Sequence, residues 1–299
     1  MATEDVDPRY SDLDGWPFAS AMEAMWDGQM SAVAAVRAAL PALTEAASAA
    51  ADALGETGRL IYAGAGTSGR VAVQDGVELP PTFDWPLERI VFALAGGETA
   101  LLSSVEGAED DAGDGAARMN AARVGSSDVV IGVAASGTTP FTVAAIGRAT
   151  ELGAVTIGVA NNAGTPLLDA ARFPVLVETG SELIAGSTRM KAGTAQKVVL
   201  NLISTGIMIR LGRVYRGMMI NMHTANAKLR LRAEQMVAHI AGCDAATASA
   251  ALETAQGDIK RATLVVLGAT PDRASALLAH TGGNLRLALS ELAQGDRGC

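Results

Sequence analysis

The sequence predicts an α/β protein: a doubly wound sheet of five parallel strands, flanked by helices, with further helices at both ends of the chain. Apolar, β-branched runs recur along the first two thirds of the chain, and helical patterns separate them. The runs lack the polar alternation of strands that face water, as is typical of strands buried on both faces. They are Arg59 to Ala63, Ile90 to Leu94, Asp128 to Val133, Val155 to Val159 and Phe173 to Val177.

The segments before and after these strands have helical periodicity. Ala19 to Leu54 is rich in alanine, and Pro41 interrupts it, which predicts two helices that serve as a lid or a dimer arm. Helical patterns then run from Thr188 to about Leu211 and from about Met218 to Ile240. Beyond Cys243, helix starts and a glycine break predict a small bundle that reaches Leu292; they are Asp244, Asp258, Thr270-Pro271 and Gly282-Gly283. We therefore divide the chain into a helical arm (1–48), a sheet domain (49–213) and a C-terminal helical region (214–299).

The composition excludes several classes of protein. With 299 residues, 49% of them hydrophobic, the chain is long and apolar enough for a well-buried core. A net charge of -9 disfavours general binding to nucleic acid or to anionic membranes. No apolar run reaches the ~20 residues that span a bilayer, and the acidic start after Met1 does not resemble a signal peptide. Two cysteines, Cys243 and Cys299, form no disulfide framework, so we expect a protein of the reducing cytoplasm.

The turn after the first strand, Gly64 to Gly69, matches the G-x-G-x-x-G pattern of dinucleotide sites. Such a site also needs an acidic residue at the end of the second strand to bind the ribose. The second strand ends instead in Leu94-Ala-Gly-Gly97. The dinucleotide interpretation is therefore disfavoured.

Three turns repeat one chemistry, because each places hydroxyl groups at a helix start. Backbone N–H groups, the positive helix end and hydroxyls together form a phosphate site, and convergence at one sheet edge suits a phosphorylated sugar. For any single turn, simple helix capping is the alternative. The candidate binding residues are Gly66, Thr67 and Ser68, then Ser136, Gly137, Thr138 and Thr139, and finally Ser187, Thr188 and Lys191.

These turns resemble the loops of the sugar isomerase (SIS) domain. Three further runs resemble the N-acetylmuramic acid 6-phosphate etherase family within it: Glu78-Leu-Pro-Pro-Thr82, Val105-Glu-Gly-Ala-Glu-Asp110 and Gly186-Ser-Thr-Arg-Met-Lys-Ala-Gly-Thr-Ala-Gln-Lys197. The resemblance covers essentially the whole chain. It implies an SIS fold, a homodimer, and cleavage of the lactyl ether of the phosphorylated amino sugar to N-acetylglucosamine 6-phosphate and D-lactate without a metal or an organic cofactor.

The chemistry of that reaction needs acid and base groups. Once the sugar opens to its aldehyde, the C2 proton is acidic and the C3 ether oxygen lies β to it, so elimination followed by water addition is available. Carboxylic groups can serve as the base, the acid and the group that directs water. The resemblance gives these roles to Glu78, as the principal acid/base, and to Glu109, as the second, and leaves their division open.

Two other functions share part of the pattern. An SIS sugar-phosphate isomerase would share the loops but not the Glu78 and Glu109 runs, and a non-catalytic sugar-phosphate sensor usually carries a second SIS domain or a DNA-binding module.

One departure bears on the substrate: Thr138 stands where the family usually has arginine. His239 and Cys243 have a spacing that suits metal ligands, but no third ligand accompanies them, so we expect no metal site.

Overall fold

The computed structural model describes residues 1–222, 224 and 226–295. Contacts divide the chain into two compact units. The first comprises Met1–Val77 and Leu87–Gly206, and the second comprises Glu78–Pro86 and the chain from Ile207 onward.

The first unit is built on one five-stranded sheet in the order β2-β1-β3-β4-β5, and every neighbouring pair is parallel. This confirms the predicted fold class and its five strands. Because the strand order changes direction at β1 and β3, a crevice is expected outside their carboxyl ends. The strands are β1 (Leu60–Gly64), β2 (Ile90–Leu94), β3 (Val129–Ala134), β4 (Val155–Ala160) and β5 (Phe173–Leu176).

Thirteen α-helices accompany the strands within the described part of the chain. They are α1 (Phe18–Ala35), α2 (Leu40–Leu54), α3 (Gly66–Val77), α4 (Leu79–Phe83), α5 (Ala112–Ala121), α6 (Pro140–Glu151), α7 (Pro166–Ala170), α8 (Lys191–Arg210), α9 (Ala227–Ala241), α10 (Ala245–Thr254), α11 (Ile259–Val266), α12 (Pro271–His280) and α13 (Leu285–Gly295). The predicted interruption between α1 and α2 is a 3₁₀ turn, Val36–Ala39, and Pro41 lies in the first turn of α2, where proline is tolerated.

The centre of the sheet is closely packed. Every residue of β1, β3 and β4 is buried. Gly132 on β3 gives α6 its close approach, because a Cβ there would overlap the side chain of Ile146. Burial of these apolar side chains stabilises the fold.

A buried carboxylate ties α3 to β1 and α8. Asp75 is 2% exposed, and its Oδ2 accepts the hydroxyl of Tyr62 at 3.0 Å. Its Oδ1 accepts Asn201 Nδ2 at 2.6 Å and the hydroxyl of Ser204 at 3.2 Å. Burial raises the pKa of Asp75 above its ordinary value, while these three hydrogen bonds oppose the rise. The group therefore fixes the last turn of α3 inside the first unit.

The second unit is mainly helical, and its start differs from the sequence-based expectation. The helix predicted from about Met218 begins only at Ala227, with Asn226 as its N-cap. A two-stranded hairpin precedes it, in which β6 (Val214–Tyr215) pairs with β7 (Met218–Met219). Helices α10 to α13 follow at the predicted starts and close a common core that includes Val237, Leu252, Leu264 and Leu285.

Cys243 is half-buried and carries a free thiol, whereas Cys299 lies outside the described residues. Across residues 1–222, 224 and 226–295, none of the helices has both the length and the apolar character that crossing a membrane requires. The same ranges contain no cluster of three or more His, Cys, Asp or Glu side chains that could hold a metal ion.

Candidate active site

A cleft of about 390 Å³ opens at the carboxyl edge of the sheet, within the first unit. We call it the hydroxyl lobe, because two of the three predicted turns and Thr188 of the third supply its hydroxyl groups. Its lining is Glu4, Ala65, Gly66, Thr67, Ser68, Glu109, Asp110, Ala134, Ala135, Ser136, Thr138, Thr139, Pro140 and Thr188. The structure therefore brings together seven of the ten predicted binding residues; Gly137, Ser187 and Lys191 are not part of the lining.

The turn after β3 presents its hydroxyls to this lobe. The backbone N–H of Thr138 donates to Ser136 Oγ at 3.2 Å, and the hydroxyls of Ser136 and Thr139 lie 3.5 Å apart. Gly137 has φ of 70°, and a Cβ there would overlap the side chain of Thr165, so only glycine fits between the turn and its support. Thr139 occupies the N-cap position of α6 but makes no side-chain capping bond, which leaves its hydroxyl available to a ligand.

A remote carboxylate caps the helix that follows Thr188. Glu182 is fully buried, and its two oxygens accept the backbone N–H groups of Lys191 and Ala192, each at 2.9 Å. Within the described residues, neither Ser187 nor Thr188 makes a side-chain hydrogen bond to α8. The simple capping interpretation therefore does not account for the hydroxyl of Thr188 in the lobe.

Lys191 has its own partner. Its Nζ donates to the carbonyl of Ser181 at 2.9 Å, away from the lining of the hydroxyl lobe. Burial lowers the pKa of the Lys191 ammonium, and the nearby carboxylate of Glu182 opposes that shift. The structure thus gives Lys191 a role in holding the segment before α8.

A second cleft of about 330 Å³ adjoins the first, also within the first unit. We call it the arginine lobe, because Arg70 reaches its wall. The two lobes share Ala65, Gly66, Thr67 and Glu109, so the carboxylate of Glu109 belongs to both. The remaining lining is Arg70, Ala95, Ala100, Ser103, Ser104, Val105, Glu106, Gly107 and Ala108.

Glu78 lies at the junction of α3 and α4, in the second unit. Its side chain is exposed and, although it occupies the N-cap position of α4, it makes no capping hydrogen bond. Helix α3 ends at Val77, directly before Glu78. The structure thus leaves the carboxylate of Glu78 free of any local structural bond.

Sequence reasoning did not identify Glu4 as a residue of this cleft. The segment that carries it is fixed to the sheet edge: Thr3 is fully buried, and its hydroxyl accepts Asn162 Nδ2 at 2.9 Å. The N–H of Gly186 donates to the carbonyl of Thr3 at 3.3 Å. Glu4 lies far in sequence from the three turns, so the chemistry of those turns gave no signal for its place in the cleft.

Comparisons with known proteins agree with this geometry. Residues 42–150 match the model of the glucokinase regulatory protein N-terminal SIS domain. A Deinococcus radiodurans protein named N-acetylmuramic acid 6-phosphate etherase is 48% identical over 97% of this chain and 95% of its own. One of the same name from Erwinia tasmaniensis is 43% identical over the same shares.

The chain belongs to the N-acetylmuramic acid 6-phosphate etherase family. Among solved structures, a Listeria monocytogenes protein assigned as a sugar-phosphate isomerase matches with a TM-score of 0.50. The likeness covers 65% of this chain and 90% of that one at 17% identity, so it supports the SIS fold alone. Because the etherase relatives match along nearly the whole chain, the family includes both units, whereas the match to the SIS model ends at residue 150.

Proposed function

We propose that this etherase family member cleaves the D-lactyl ether of N-acetylmuramic acid 6-phosphate, yielding N-acetylglucosamine 6-phosphate and D-lactate. The proposal rests on the similarity to a named etherase, which is 48% identical over nearly the whole chain. It also rests on a cleft lined by hydroxyl groups, in which Thr139 makes no capping bond. The alternatives of an SIS isomerase and a non-catalytic regulator are not favoured, because the full-length relatives are named etherases.

The phosphate is proposed to bind in the hydroxyl lobe. A chain of net charge -9 must hold a dianion with oriented local donors rather than with its overall field. The hydroxyls of Ser68, Ser136 and Thr139 and the first turns of α3 and α6 supply such donors.

The reaction is proposed to be an elimination followed by an addition. In the ring-opened sugar, a carboxylate removes the C2 proton, the C3–O bond breaks, and a carboxylic acid protonates the lactate oxygen that leaves. Water then adds to C3 of the resulting enal, and a proton returns to C2. We propose that Glu78 is the principal acid/base and Glu109 the second; Glu109 lies in the wall that both lobes share, which supports its part.

The test of the function is to incubate the protein with N-acetylmuramic acid 6-phosphate in ¹⁸O-labelled water and to measure D-lactate and the label. We expect D-lactate to appear and the C3 oxygen of the amino sugar to carry ¹⁸O. Label in lactate instead would contradict the elimination scheme. Absence of D-lactate, with the protein shown to be folded, would contradict the proposal that N-acetylmuramic acid 6-phosphate is the substrate.

The assembly is proposed to be a cytoplasmic homodimer. Helix α1 supports it, because five large apolar side chains lie exposed along one of its faces: Phe18, Met22, Trp26, Met30 and Val33. A second copy of the chain would cover this face. Light scattering of the wild type and of Trp26→Lys tests this: we expect a dimer that the substitution weakens, whereas a monomeric wild type would contradict it.

A further inference from the structure

The arginine lobe has a cation that forms no ion pair with a carboxylate in the described part of the chain. Arg70 is half-buried. Its Nε–H donates to the carbonyl of Ala100 at 2.9 Å, and one Nη2–H donates to the carbonyl of Ser103 at 3.4 Å. A guanidinium carries five N–H donors, so both hydrogens of Nη1 and one of Nη2 remain available. Among the described residues, no carboxylate lies within ion-pair distance of Arg70, although Glu106 and Glu109 line the same lobe.

Arg70 is also the sole lysine or arginine in the lining of either lobe, counted over the described chain. Lys191 donates to Ser181, and Arg189 is exposed and absent from both linings. Beside Arg70, the hydroxyl of Ser104 makes no hydrogen bond within the described residues, while that of Ser103 donates to the carbonyl of Thr99 at 3.2 Å. The lobe therefore offers a guanidinium fork and one free hydroxyl, a donor set that suits a carboxylate.

The two adjoining lobes offer one site for each anionic group of a ligand that carries two anions. Glu109 lines both the hydroxyl lobe and the arginine lobe. In the substrate of the proposed function, the phosphate is on C6, the lactyl carboxylate hangs from the C3 oxygen, and the bonds that react, at C2 and C3, lie between them. A ligand that occupies both lobes would place its reacting carbons beside the wall that the lobes share, which contains Glu109.

We propose that Arg70, assisted by Ser104, binds the lactyl carboxylate of the substrate in the arginine lobe. This inference rests on the proposed function. It adds a specificity residue: the phosphate alone would admit any phosphorylated sugar to the hydroxyl lobe, whereas Arg70 favours a sugar that carries a second anion. A fixed carboxylate would also orient the C3 substituent relative to Glu109 before the bond breaks.

The test compares N-acetylmuramic acid 6-phosphate with its carboxamide, in which the lactyl carboxylate is a neutral amide of nearly the same shape. Hydrogen bonds to charged groups are worth ~1.5–3 kcal/mol, which corresponds to about 10- to 150-fold in affinity. For the wild type we expect KM for the amide to exceed KM for the acid by at least about tenfold. For Arg70→Met we expect the two compounds to have nearly equal KM, at the level of the amide in the wild type.

N-acetylglucosamine 6-phosphate serves as the control ligand, because it has the phosphate but lacks the lactyl group. Its inhibition constant should change less than about twofold in Arg70→Met, and Arg70→Lys should restore part of the preference for the acid. The proposal is overturned if the wild type does not distinguish acid from amide, or if Arg70→Met retains the distinction. An inhibition constant that rises as much as KM would also overturn it, since Arg70 would then act only by holding the loop through Ala100.

Failure of the proposed function gives a different result. If the wild type releases no D-lactate from either compound, calorimetry measures both dissociation constants directly. Tighter binding of the acid that disappears in Arg70→Met would support the carboxylate site and leave the reaction in doubt. Equal binding of both compounds would overturn the carboxylate site as well.

Discussion

Two helices of this chain begin with the same dipeptide, Thr-Pro, and use its threonine differently. In the second unit, the hydroxyl of Thr270 accepts the backbone N–H of Arg273 at 3.2 Å and caps α12. In the first unit, Thr139 has the same position before Pro140 at the start of α6, yet it makes no capping bond and lines the hydroxyl lobe. The residue type is typical of an N-cap in both places, so only the surroundings separate a stabilising hydroxyl from one available to a ligand.

A similar contrast separates α8 from α9, α10 and α11. Asn226, Asp244 and Asp258 each cap their own helix in the second unit. In the first unit, α8 takes its cap from the distant Glu182, and Thr188 is left facing the lobe. We infer that polar groups without a local structural bond are the ones to test for function, and the following substitutions probe that rule.

The largest effect is expected from the two carboxylates, neither of which caps a helix. Glu78→Gln and Glu109→Gln should each lower kcat by at least about 100-fold, the usual scale for loss of a general acid or base, because the amide cannot transfer the proton. Both melting temperatures should stay near that of the wild type. Solvent-deuterium exchange at C2, measured in each variant, shows which carboxylate is the base; full activity in both variants would remove them from the reaction.

A smaller effect on activity is expected at the hydroxyls of the lobe. Thr139→Ala and Ser136→Ala should each raise KM about tenfold, because each removes a hydrogen bond to the phosphate, worth ~1.5–3 kcal/mol when the partner is charged. Neither should lower the melting temperature without ligand. Steady-state kinetics and thermal unfolding provide the two measurements, and an unchanged KM in the double variant would place the phosphate elsewhere.

The matched change in the second unit should give the opposite result. Thr270→Ala removes a capping bond and should destabilise the protein by about 1 kcal/mol, seen as a lower melting temperature, while KM stays unchanged. If Thr270→Ala and Thr139→Ala lowered the melting temperature equally, the distinction between capping and free threonines would be wrong.

The sequence predicted the sheet better than it predicted the hairpin and the helix start near Met218, in the second unit. The five buried strands were found because runs such as Val129–Ala134 are apolar on both faces. The predicted start of the helix at Met218 was wrong, because the apolar residues there are too few to show whether their spacing is helical. Arg216 and Gly217 have φ of 46° and 76°, which closes a tight two-residue hairpin between Tyr215 and Met218.

The sequence predicted the turns of the candidate site but not the full set of residues that line its two lobes. Gly66 to Ser68 and Ser136 to Thr139 stood out because glycine and hydroxyl residues follow strands directly. Arg70 directly follows the first of these turns, and only the cleft linings distinguish it from Lys191 as the cation of the site. Glu4 lies far from the turns in sequence, so its place depends on the tertiary bonds of Thr3.

A weaker, pH-dependent effect is expected from Asp75, a buried carboxylate that neither caps a helix nor lines a lobe. Three hydrogen bonds oppose the effect of its burial, but its pKa stays raised, so its contribution to stability is lost as pH rises through the folded-state pKa. Asp75→Asn cannot ionise. The free energy of unfolding of the variant should therefore improve relative to the wild type between pH 4 and pH 8, as urea titrations would show; a relative decline would mean that the pKa is lowered instead.

The smallest effect is expected at Thr138, where the family usually has arginine. Thr138 is exposed at the edge of the hydroxyl lobe, whereas the cation of the site, Arg70, lies in the arginine lobe. If Arg70 already supplies the positive charge that the substrate needs, Thr138→Arg should change kcat/KM by less than about fivefold, because an exposed ion pair is worth ~0.2–1 kcal/mol. Thr138→Gln is the uncharged control. A gain of tenfold or more with Thr138→Arg in the wild-type background would show that the site lacks a cation. A gain seen only in the Arg70→Met background would show that an arginine at position 138 can replace Arg70 at the carboxylate.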